Sequence, residues 1–109
     1  MTRDLKIVQR ARDDINRIYR WLERRSPRGA NAWYRAFWSA ATRIAGDPES
    51  FAVAEESAQL KSDIRSAIFK TRQGRYYRII FEFTDTEARI LRVRRPGQRP
   101  LQRRDLPAN

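Results

Sequence analysis

Residues 64–94 read IRSAIFKTRQGRYYRIIFEFTDTEARILRVR, and this stretch decides the fold. Three runs rich in Ile, Val, Phe and Tyr, at 64–69, 76–83 and 88–94, alternate with a period of two, the mark of half-buried strands. Gln73-Gly74 and Thr84-Asp85 separate them, and connections this short predict a three-stranded antiparallel meander. Side chains two apart share a face, so one face of this sheet needs a cover.

The cover lies upstream. Leu5, Lys6, Ile7 and Val8 predict a first strand. From 11 to 25 the period changes: Ile15, Ile18, Tyr19 and Leu22 fall at i, i+3, i+4 and i+7, one stripe of a helix. Asp13 and Asp14 are placed to complement its first turn, and Arg24 and Arg25 its last. Ser26 is positioned to cap a second helix, with Pro27 as its first residue. Ala30, Trp33, Phe37, Ala40, Ala41 and Ile44 stripe that helix until Gly46-Asp47-Pro48 ends it. The short connection makes the two helices an antiparallel hairpin. Residues 47–62 read as an extended connection with some strand around 51–54. The expected fold class is therefore α+β: N-terminal strand, antiparallel helical hairpin, then the meander, with the helices on one sheet face. One domain is expected over 1–95, with a basic C-terminal tail over 96–109.

Composition narrows the function. The 109 residues carry 24 Lys+Arg against 13 Asp+Glu, a net charge of +11, and only three of the cations are lysines. Arginine excess points to an anionic partner, because the planar guanidinium engages phosphates and carboxylates two bonds at a time. With no Cys and no His, disulfides, thiolate nucleophiles and imidazole chemistry are excluded, and neither metal nor cofactor is expected. No apolar run approaches the roughly 18 to 20 residues of a membrane span, so no membrane contact and a cytoplasmic setting are expected.

Strand parity selects candidate site residues. In the central strand Tyr77, Ile79, Phe81 and Phe83 form the apolar set, leaving Tyr76, Arg78, Ile80 and Glu82 on the other face. Leu91 and Val93 inward would send Arg92 and Arg94 outward beside Ile90; Ile64 and Ile68 inward would do the same for Arg65. Arg65, Arg78, Arg92 and Arg94 would then share an open face with Tyr76, fit for a phosphate backbone with stacked bases. Phe69 competes with Ile68 for the core, and a bulge would reverse the parity; the ordinary alternative is a solvated face. From 89 to 104 there are seven Arg and no acidic residue, which reads as a solvated or nucleic-acid-grazing arm. Trp33, Trp38 and Trp21 read as core and inter-helix packing, with Trp38 and Trp21 open to a partner groove.

This order of elements resembles the RelE/ParE superfamily of bacterial toxins. The likeness runs from Leu5 to about Gln98 and rests on Asp13-Asp14-Ile15 with Ile18-Tyr19, Asp47-Pro48, Asp63-Ile64-Arg65, Tyr77-Arg78-Ile79 and Ile90-Leu91-Arg92-Val93-Arg94. It implies the toxin of a type II toxin-antitoxin system, neutralised by an acidic antitoxin. It also implies one of two targets: mRNA in the ribosome for the RelE-like branch, DNA gyrase for the ParE-like branch. The nuclease reading would place Arg65 and Arg78 at the scissile phosphate with Glu82 as base, Tyr76 assisting and Arg94 or Arg95 near the end of the last strand. Where relatives often carry His, this chain has Arg95-Pro96-Gly97, and no C-terminal Tyr follows. Arginine stays protonated and is a poor base. The ParE-like branch, which needs only an interaction surface, is favoured by default. A non-toxic nucleic-acid-binding module and a repurposed toxin are the other readings. Charge reversal at Arg65 or Arg78 is expected to abolish toxicity with little change in thermal unfolding, as surface substitutions do.

Overall fold

The computed structural model describes residues 2–60, 63–72 and 74–106. The expected turn residue Gln73, the end of the 47–62 connection and the last three residues of the tail lie outside the described residues. The chain runs β1 (Asp4–Ile7), α1 (Gln9–Arg25), α2 (Pro27–Gly46), a one-turn α3 (Ser57–Leu60), β2 (Arg65–Phe69), β3 (Tyr77–Phe83) and β4 (Glu87–Arg94), with 3₁₀ turns at Pro48–Ser50 and Arg103–Asp105. The sheet order is β1-β4-β3-β2, with β1 parallel to β4 and the other two pairings antiparallel. The α+β fold and the meander thus stand as expected.

The junction between the helices follows local chemistry. Ser26 Oγ accepts the Gly29 amide at 3.0 Å and Pro27 needs no hydrogen bond at the first helical position. The first helix begins earlier than the sequence pattern implied, at Gln9. Asp13 and Asp14 therefore sit beyond its first turn, and Asp14 is buried.

The helical hairpin covers one face of the sheet. Ala11, Ile15 and Ile18 of α1 and Trp33, Phe37, Ala40, Ala41 and Ile44 of α2 pack on Ala67, Phe69, Tyr77, Ile79, Phe81, Ala88, Ile90 and Val93. Trp33 is the hub, with ring centroids 5.6 Å from Tyr77, 5.8 Å from Phe69 and 6.1 Å from Phe37; such pairs each add about 0.5–1.5 kcal/mol beyond area burial.

Two parity expectations change. In β2 the residues facing the helices are Ala67 and Phe69, while Ile68 is 59% exposed. The larger, flatter Phe69 fills the space beside Trp33, and Ile64 turns to the opposite face. Arg65, opposite Phe81, then shares the helix side and departs from the other three arginines. In β4 the register jumps between Ile80 and Phe81, so Ile80 faces Arg92 and Phe81 faces Ile90. Leu91 is the extra residue of this bulge; Ile90 joins the main core and Leu91 packs behind the sheet.

The second sheet face is not open. Ile64, Ile80 and Leu91 form a smaller buried cluster with Ala54 and Leu101, the last from the stretch expected to be a solvated arm. That stretch folds back at Leu101, which is fully buried, because an apolar side chain on a basic segment finds dry surface left by the bulge.

Candidate functional site

The second sheet face collects arginines on adjacent positions of β3 and β4. Arg78 pairs with Arg94, Ile80 with Arg92 and Glu82 with Arg89, and directly paired residues project to the same side. Four guanidiniums in such proximity repel one another unless anions intervene. The chain supplies such anions itself to Arg78, Arg89 and Arg92.

Arg78 is clamped by Glu56, whose side chain is fully buried: Nη2 donates to Oε1 at 2.7 Å and Nη1 to Oε2 at 3.2 Å. The Leu101 amide donates to the same carboxylate at 3.1 Å. Burial alone would raise the Glu56 carboxyl, but the Arg78 and Leu101 hydrogen bonds and the Arg78 charge hold it below the usual carboxylate range. Arg92 is clamped by Asp14 of α1, with Nε to Oδ2 at 2.8 Å and Nη2 to Oδ1 at 2.9 Å, while the Val93 amide donates to Oδ2 at 2.9 Å. Hydrogen bonding to Asp14 raises the Arg92 guanidinium above its ordinary value. Arg94 is 6% exposed and donates to the Arg99 carbonyl at 2.8 Å; burial lowers it, and the charge of Arg92 adds to that. Arg99 pairs with Asp105 at 2.8 Å, and its hydrogen bond is the largest cause holding that carboxyl far below its usual range.

The remaining candidates are scattered. Arg65 lies on the helix side, donating to the Phe51 carbonyl at 2.8 Å, with its guanidinium 5.7 Å from the Phe83 ring centroid. Glu82 accepts from Arg89 at 2.7 Å. Tyr76 is 61% exposed with the Lys70 ammonium 5.1 Å over its ring. Arg95 is exposed, its backbone amide held by Gln98 Oε1 at 2.6 Å.

The expectation of four arginines on an open face is therefore corrected twice. Arg65 belongs to the other face, and Arg78, Arg92 and Arg94 are neutralised or occupied by groups of the chain itself. Charge reversal at Arg78 would strand Glu56, so the expected indifference of thermal unfolding is also withdrawn; breaking such a buried pair costs about 3–5 kcal/mol.

Asp14, Glu56, Arg89 and Leu101 were missed as determinants of this face. Asp14 carried a signal: it lies four residues before Ile18, on the apolar stripe of its helix, where a carboxylate requires a partner. Glu56 sits in a polar stretch without periodicity and carried none.

Chemically, Arg78, Arg89 and Arg92 of this face are held in ion pairs, while Arg94 is buried on a backbone carbonyl with its Nε lacking a hydrogen-bond partner; the pairs are suited to fixing β3, β4, α1 and the C-terminal segment together. Among the described residues no group of three or more Asp and Glu could hold a metal ion, and no helix is long and apolar enough to cross a membrane. A comparison with curated proteins gave no match. The family model for the ParE toxin of type II toxin-antitoxin system, parDE, matches residues 5–100. The match spans both helices and all four strands apart from the first residue of β1. Together with the order of strand, helical hairpin and meander, this match shows that the chain belongs to the ParE toxin family of type II toxin-antitoxin systems, in which a toxin is paired with an antitoxin.

Proposed function

We propose that this toxin arrests growth in the cytoplasm by binding DNA gyrase, and that it does not cut RNA. The observation that supports this is the state of the nuclease candidates. Cleavage through a 2′-hydroxyl needs a free base beside cations able to receive the phosphate. Glu82 is held by Arg89, Arg78 by Glu56 and Arg92 by Asp14, while Arg65 is turned to the other sheet face. A base already bound to a cation and guanidiniums already bound to buried carboxylates offer little to a scissile phosphate.

A protein-binding toxin needs surface, and this chain has it. Tyr34 and Trp38 stand one turn apart on α2, 42% and 37% exposed, with ring centroids 6.1 Å apart. Exposed arginines 17, 20, 24, 28 and 35 lie on the same hairpin. Aromatic and Arg residues of this kind anchor interfaces, and the net charge of +11 suits an acidic antitoxin. The toxin domain is taken as residues 1–95, with the basic segment from 96 as an appendage anchored by Leu101.

The test is a supercoiling assay with purified gyrase and the purified chain, run beside a ribosome programmed with a defined mRNA. The expected result is loss of supercoiling with the mRNA left intact. Cleavage of the mRNA at the ribosome, with supercoiling untouched, would overturn the proposal.

A further inference from the structure

We infer that a groove between the C-terminal end of α1 and the turn after β4 binds a nucleoside phosphate. The groove has a volume of about 390 Å³ and is lined by Trp21, Arg75, Tyr77 and Arg95, closed below by residues 96–98. It shares Trp21, Arg75 and Tyr77 with an adjoining groove of about 340 Å³ that reaches Trp33. Sites of a few hundred Å³ suit small ligands, whereas a partner helix needs a longer trough.

Its electrostatics differ from those of the sheet. Arg78, Arg89, Arg92 and Arg99 each have a carboxylate partner. Arg75 and Arg95 have none among the described residues, and no Asp or Glu lines either groove. Arg75 and Arg95 both line the groove with Tyr77, and both charges act on its hydroxyl, drawing down a phenol that burial raises. Arg25, which lines the adjoining groove, has its guanidinium over the Trp21 ring at 4.3 Å from the centroid. A phosphate meets these cations as a bidentate acceptor.

The aromatic walls specify the rest of the ligand. Trp21 keeps 37% of its surface exposed, and an indole beside arginines is a stacking platform for a nucleobase. Gly97, at φ +79°, turns the chain two residues after Arg95, where both residues line the groove. The assignment is independent of whether gyrase is the target.

Titration calorimetry on the full-length chain tests it with AMP, adenosine and inorganic phosphate as probes. AMP is expected to bind saturably, at least about tenfold tighter than either of its parts. Arg75→Gln and Arg95→Gln should each weaken AMP about tenfold or more without moving the thermal midpoint, since both side chains are exposed. Trp21→Leu should weaken AMP but not phosphate, and Arg43→Gln, on α2 and outside the lining of both grooves, should change neither. A 5′-phosphorylated dinucleotide that binds much tighter than AMP would mark the ligand as a strand end; equal binding would mark it as a free nucleotide. AMP no tighter than phosphate, an equal loss with Arg43→Gln, or displacement of AMP by an oligoglutamate at lower concentration would overturn the assignment.

Discussion

Replacing Arg78 by methionine keeps much of the side-chain volume and removes the charge, leaving the Glu56 carboxylate buried with backbone amides, that of Leu101 and its own, as donors and no cation bonded to it. Stranding one partner of a buried ion pair costs about 3–5 kcal/mol, a large share of the roughly 5–15 kcal/mol that holds a domain together. At about 4 °C or more per kcal/mol for a chain of this size, the thermal midpoint should fall by at least about 12 °C near pH 7. The pH dependence should change sign as well. In the native protein the Glu56 carboxyl is held below its ordinary value, so the unfolded chain binds this proton more readily. The group's contribution is then present above the unfolded value near pH 4 and lost as the pH falls through the folded one. Without Arg78, burial dominates and raises the carboxyl, so the variant should gain stability on moving from pH 7 to pH 5 through this group. Urea unfolding of both proteins at the two pH values measures this. Glu56→Gln in the Arg78→Met background should recover part of the loss, because no charge is left buried. A loss under about 1 kcal/mol at pH 7, or parallel pH profiles for the two proteins, would refute the clamp.

Asp14→Ala should cost about 3–5 kcal/mol in urea unfolding, since it removes the carboxylate partner of Arg92, leaving the Asp105 carbonyl as its acceptor, and orphans the Val93 amide; a cost typical of an exposed helix site would show that the clamp is unimportant. Leu101→Ala should cost about 2–5 kcal/mol, against almost nothing if the C-terminal segment were a solvated arm. Glu82→Gln is expected to leave growth arrest on induction at the level of the parent protein, because Glu82 is already bonded to Arg89; survival of cells making a folded Glu82→Gln protein would restore the nuclease reading.

The helical hairpin was legible because its stripes are long and its caps conventional: Ser26, Pro27 and the Gly46-Asp47-Pro48 stop behave as local chemistry requires. The central strand was legible too, since Tyr77, Ile79, Phe81 and Phe83 alternate without competition. The site was less so. A one-residue bulge at Leu91 and the preference of Phe69 for the space beside Trp33 moved side chains between faces, and period-two reasoning has no means of detecting either. The larger gap was tertiary. Arginines alternating along strands look alike whether water, phosphate or a distant carboxylate meets them, and the carboxylates that decide the matter, Asp14 and Glu56, come from elements remote in the chain. Leu101, alone in a basic run, gave no period to read.

The proposal that growth stops at DNA gyrase is tested most directly by inducing the chain in a bacterial host and following labelled thymidine and labelled amino acid over the first minutes. Thymidine incorporation should fall first while protein synthesis continues. Early loss of amino-acid incorporation with DNA synthesis intact would contradict the account, as would cells that continue both and keep growing.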